Sequence, residues 1–83
     1  MELEADKLKF NKNTETFETD LLKFLILNNK VVINFLKNAD GKYKYSANEI
    51  YREGRFIRLI GNAIFYTDNT TLKSNEIIID ITI

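Results

Sequence analysis

The chain has no cysteine, no histidine and no proline, and no excess of charge of either sign, with 12 basic residues against 12 acidic ones in 83. Without cysteine or histidine, disulfide staples and zinc sites of the usual kind are excluded. The charge balance argues against a nucleic-acid partner, because such binders carry a basic excess. The best local hint of one, Lys42-Tyr43-Lys44-Tyr45, reads more simply as a strand with two apolar and two solvated positions. No apolar run approaches the ~18 residues of a membrane-spanning helix. Met1 is followed by Glu2, Glu4 and Asp6, the wrong charge for the start of a secretory signal. A chain of this length is expected to form one domain, residues 1–83, either complete or as part of a longer protein. Such a domain buries only about 60–65% of the surface its unfolded chain exposes. A regular sheet, a partner or further copies of itself must therefore supply stability.

What is present is β-forming. Residues 2–18 are polar and strand-like, with Leu8 and Phe10 as apolar anchors and a turn or solvated strand at 11–16. Residues 20–37, "DLLKFLILNNKVVINFLK", place Leu21, Leu22, Leu25 and Ile26 on one helical face. Asn28-Asn29 is nevertheless a turn signal, and "VVINF" is β-branched and aromatic, so two strands around a break are predicted. Asp40-Gly41 predicts a hairpin turn. Strands follow near 43–52, 55–66 and 71–83, with turns at Glu53-Gly54 and Asp68-Asn69.

The chain repeats itself. "FLILNNKVVINF" from Phe24 lies without a gap over "FIRLIGNAIFYT" from Phe56, so that Asn29 meets Gly61, Val31 meets Ala63 and Ile33 meets Phe65. Asn and Gly both tolerate positive φ or a bulge. A second element recurs three times, as "ADKL" at Ala5, "ANEI" at Ala47 and "SNEI" at Ser74. Across it the apolar parity switches: Leu72 and Ser74 share a face, and Ile77, Ile79, Ile81 and Ile83 follow in the opposite phase. A strand changes parity where it bulges or turns a corner. Strand, corner, strand, repeated, predicts an all-β sheet folded over on itself.

These residues resemble the OstA-like domain of the lipopolysaccharide transport proteins of Gram-negative envelopes. The pattern is an alternating strand, Gly-Asn, a short turn, then Leu-x-Ala/Ser-Asp/Asn and a strand ending in an acid, here "RLIGNAIFYTDNTTLKSNEIIID". It covers residues 46–83 well and 4–37 weakly, where Asn29-Lys30 replaces Gly-Asn. The resemblance implies a folded-over antiparallel β-jelly-roll, or β-taco, that holds lipopolysaccharide acyl chains in an apolar groove in the periplasm. It implies partnership with other envelope transport proteins or with copies of the chain through edge strands. It fits the soluble bridge component, shortened, or the inner-membrane-anchored component without its anchor.

On that reading, parity assigns the lipid-binding lining to Leu25, Leu27, Val31, Ile33, Ile57, Leu59, Ala63 and Phe65, with Ile77 and Ile79. Lys30, Arg55 and Arg58 are rim candidates for phosphate. The plainer alternative is that the same residues close into a dry core, as in a self-assembling β-solenoid module without a ligand. The strand from Ile77 to Ile83, with a single interior charge at Asp80, is expected at a sheet edge, pairing head to tail with the terminal strand near Leu3 to Phe10 of another copy. An enzyme is not expected. Glu49 with Glu53, and Asp68 with Glu76, are carboxylate pairs without a nucleophile, histidine or metal ligand beside them in sequence. No cofactor and no metal are implied. The far-ultraviolet circular dichroism spectrum should be β-dominated; a helical signal covering about 15 residues would remove the repeat.

Overall fold

A computed structural model describes residues 2–5, 7–19, 22–36, 43–68 and 70–81. The Asp40-Gly41 turn, Thr82 and Ile83 lie outside these residues. The described chain is all-β: β1 (Glu2–Ala5), β2 (Lys9–Asn11), β3 (Thr16–Glu18), β4 (Leu22–Leu27), β5 (Lys30–Leu36), β6 (Tyr43–Ser46), β7 (Glu49–Glu53), β8 (Phe56–Thr67) and β9 (Thr70–Asp80). They form one open sheet in the order β2-β3-β4-β5-β9-β8-β6, with β1 also on β9 and β7 also on β8.

Local chemistry sets the turns. The two residues between β4 and β5, Asn28 and Asn29, have φ of 48° and 64°, the positive values a two-residue hairpin turn demands. Leu27 therefore pairs with Lys30, and Ile26 with Val31. Between β8 and β9 the register shifts from Ile60 opposite Glu76 to Ala63 opposite Ser74. Two residues of β8, Gly61 and Asn62, thus face one of β9, and both have positive φ, 81° and 48°. This bulge is the expected corner. β6 gives way to β7 at the same level, where the Asn48 N–H donates to the Gly61 carbonyl at 2.8 Å. Parity switches on β9 as predicted: Thr70, Leu72 and Ser74 are buried on one side of the corner, Ile77 and Ile79 on the other.

A single layer without helices takes side chains to zero exposure only by curving over them. Phe24, Ile33, Leu59, Phe65, Ile77 and Ile79 are all 0% exposed and belong to one apolar cluster. The smallest dimension of the molecule, 22 Å, is about twice the ~10 Å spacing of packed sheets. Each large apolar side chain buried in this way contributes about 1.5–3 kcal/mol.

Two expectations are corrected. The sheet is mixed, because β5 pairs with β9 in parallel, from Lys30 opposite Glu76 to Ile33 opposite Ile79. For the same reason the β9 strand is central and not an edge: β8 covers one side of it, and β1 and β5 share the other. The run Ile77-Ile78-Ile79 is apolar at every position, which suits a central strand better than an edge.

The corner yields a test. A Cβ at Gly61 would lie 2.8 Å from Asn48 Nδ2, whereas at Gly54, with φ of 60°, nothing lies within 4 Å. Gly54→Ala should cost about 1–2 kcal/mol from φ alone, and Gly61→Ala distinctly more. Denaturant midpoints of the two variants check the order.

Candidate functional site

The inner face of the sheet consists of cross-strand rows. One runs Phe10, Phe17, Phe24, Ile33, Ile79, Ile57 and Arg52, from β2 across to β7. The next runs Ile26, Val31, Ile77, Leu59 and Ile50. Beyond the corner, Leu3, Leu72, Phe65 and Tyr45 make a third. Tyr43 stacks on Phe65 with ring centroids 5.8 Å apart.

Eight of the ten lining candidates lie together in this core: Val31, Ile33, Ile57, Leu59, Ala63, Phe65, Ile77 and Ile79, none more than 7% exposed. Leu25 and Leu27 are not with them. Next to the two-residue turn, from Phe24 to Leu27, paired residue numbers sum to 57, so the even positions of this part of β4 share a face with odd positions of β5; the register shifts by one between Lys23 and Phe24. Phe24 and Ile26 therefore face inward with Ile33 and Val31, while Leu25 pairs with Val32 on the opposite face. The repeat holds after Asn29 and Gly61 and is out of phase before them. The reason is mechanical: Asn28-Asn29 reverses the chain, whereas Gly61-Asn62 bulges a strand that runs on.

Where the rows run out at β2, a groove of about 630 Å³ opens, lined by Phe10, Phe17, Leu25, Ile26 and Leu27, with Lys12, Thr14 and Glu15 beside them. Its floor is an aromatic ladder, with Phe10 and Phe17 centroids 4.8 Å apart and Phe17 and Phe24 5.4 Å apart. The β2–β3 turn that flanks it is held by Asn11 Oδ1, which accepts the N–H groups of Asn13 (2.9 Å) and Thr14 (3.3 Å), and by Glu15 at φ 56°. Of the groove's apolar lining, Leu25 and Leu27 are among the residues assigned by parity, and Phe10, Phe17 and Ile26 are not. The available signal was the seven-residue spacing of Phe10, Phe17 and Phe24, with a turn inside each interval.

The proposed rim cations are engaged with acids. Lys30 Nζ and Arg58 Nη2 lie 3.8 and 3.5 Å from Glu76 Oε2, an atom that is buried and held by these charges without a hydrogen bond. Arg58 also reaches Glu53 (3.3 Å), and Arg55 reaches Asp80 (3.4 Å). The hydrogen bond and charge of Glu53 hold the Arg58 guanidinium above its usual pKa. Tyr51 donates to Glu49 at 3.2 Å, and that bond raises the phenol pKa. Among the described residues no cluster of three or more acidic side chains is placed to hold a metal ion.

Phe65→Glu would bury a carboxylate in a closed core and should unfold the domain. Phe10, 52% exposed, should accept Glu with a loss of about 1.5 kcal/mol or less, the worth of one aromatic pair. Thermal melts of the two variants separate core from groove. No family model, curated protein or solved structure matches the chain.

Proposed function

We propose that the chain is a lipid-binding β module of the lipopolysaccharide transport type, working in the periplasm. On this reading the curved sheet is a folded-over β-jelly-roll. An acyl chain enters at the β2–β4 groove, and the module stacks edge to edge with copies of itself or with related envelope proteins. The observation that carries the reading is the groove: about 630 Å³, apolar along Phe10, Phe17 and Ile26, and continuous with rows that run unbroken into the core. Its size falls within the ~300–1,000 Å³ of ordinary small-molecule sites. Each methylene group buried there is worth about 0.8 kcal/mol. The strand pattern around Gly61-Asn62 and Ser74-Asn75, on which the family resemblance rests, forms the corner of the sheet. With β9 central, the edges that serve for stacking are β2 at one end and β6 and β7 at the other. The module binds and passes on its ligand without a chemical step.

A second reading has its own observation. The near-complete burial of Val31, Ile33, Leu59, Ala63, Phe65, Ile77 and Ile79 describes a dry core that suits a structural β module with no ligand. Photocrosslinking to lipopolysaccharide distinguishes the two. A benzoylphenylalanine at Phe10 should capture lipopolysaccharide, and one at Leu59 should not. Capture at neither position, by a folded protein, supports the dry module and rejects the carrier.

A further inference from the structure

We propose that the corner made by β2, the β2–β3 turn and the end of β4 docks on the surface of an anionic lipid bilayer. The basis is an uneven use of charge in a chain whose net charge is zero. On the body of the sheet, Lys23, Lys30, Arg55, Arg58 and Lys73 lie within 3.9 Å of a carboxylate oxygen, while Lys44 on β6 and Arg52 on β7 stand singly without an ion pair among the described residues. Residues 7–12, "KLKFNK", hold three lysines and no acid. Lys7, Lys9 and Lys12 are exposed and have no ion pair among the described residues. Asp6 adjoins Lys7 in sequence, and among the described residues two acids stand near the three lysines. Glu18, the cross-strand neighbour of Lys9, lies 3.9 Å from Lys23 Nζ, and Glu15 borders the groove beside Lys12. The corner therefore keeps a positive surplus.

The same corner carries the two most exposed of the large apolar side chains, Phe10 at 52% and Leu27 at 54%, on the two sides of the groove. An exposed aromatic among unpaired ammonium groups matches the layered chemistry of an anionic membrane surface. The rings and branched chains enter the acyl boundary, and the lysines meet phosphate at headgroup depth. The opposite edge supplies a contrast. There, on β7, Ile50 and Tyr51 are also exposed, at 51% and 46%, but they stand among Glu49, Arg52 and Glu53, so that strand has no positive surplus, and the neighbouring β6 offers the single unpaired Lys44 opposite Tyr66. The charge distribution thus orients the molecule, with β2 toward the bilayer and β7 away from it. Docking does not require that the groove itself take up an acyl chain.

Flotation with vesicles tests this on the full chain. Vesicles of phosphatidylcholine containing phosphatidylglycerol should carry the protein upward, less so at high salt, and vesicles of phosphatidylcholine alone should not. Lys12→Gln and Lys9→Gln should each lower the affinity about fivefold, the worth of one lysine at such a surface. Phe10→Ser should weaken binding as well, and Ile50→Ser, on the opposite edge, should leave it unchanged. The lysine variants alter exposed side chains and keep the test valid if Phe10→Ser misfolds. Failure to float with the anionic vesicles overturns the proposal, as does equal flotation with neutral ones. Unaltered binding by folded lysine variants, or an equal loss from Ile50→Ser, also overturns it.

Discussion

Backbone pairing along β9 joins everything else in this protein. The strand gives one side to β8 along its whole length, and divides the other between β1 at its start and β5 beyond the corner. Without that division the chain would be two small sheets, each with an apolar face open to water. The division requires the strand to change face parity, because both neighbours must present apolar side chains to the same interior. Ser74 sits at the change. It is small enough for close approach, and its hydroxyl donates to the Asn29 carbonyl at 2.8 Å, tying the β4–β5 turn to the corner.

The corner and the core depend on each other. Bulging Gly61-Asn62 against Asn75 bends β8 and β9 together, which lets one apolar face close over itself. The closed face then holds the bend in place, since straightening it would return Leu59, Phe65, Ile77 and Ile79 to water. The ion pairs on the outer face are a minor contributor. Exposed pairs of this kind are worth about 0–1 kcal/mol each, and their effect is to neutralise cations on β4, β5, β8 and β9 and at the β7–β8 turn. Three of the lysines that escape this neutralisation, Lys7, Lys9 and Lys12, lie together at and around β2, beside a place where the apolar rows run out of partners, while Lys44 stands alone on β6.

That coincidence bears on function. A sealed interior offers no room for a ligand, so any binding has to begin where the seal ends. It ends at β7, where Ile50 is exposed, and at the Phe10 side of the sheet, where β2 is only three residues long, no described strand continues the row and a groove opens. Phe17 and Ile26 are covered from within and reached from without through the groove.

The sequence alone determined the two strands around Asn28-Asn29, the long strands β8 and β9, the turn at Glu53-Gly54 and the corner, but not the division of residues 2–18 into β1, β2 and β3 or the break between β6 and β7. Positive φ at Asn29 and Gly61, and the change of parity between Ser74 and Ile77, follow from local steric preference and from a two-residue side-chain period, and both are readable in a single chain. For the same reason the inward direction of eight of the ten residues assigned to the apolar lining was legible. Leu25 and Leu27 border the groove instead of joining that core, because their face depends on how a turn sets the register, and the repeat does not distinguish a chain reversal from a bulge. The partners of β9 were also beyond the sequence. A strand rich in isoleucine satisfies its backbone groups equally well with another copy or with β5. Only the three-dimensional arrangement of the chain brings β5 alongside it, in parallel, and so leaves the exposed edges to β1, β2, β6 and β7.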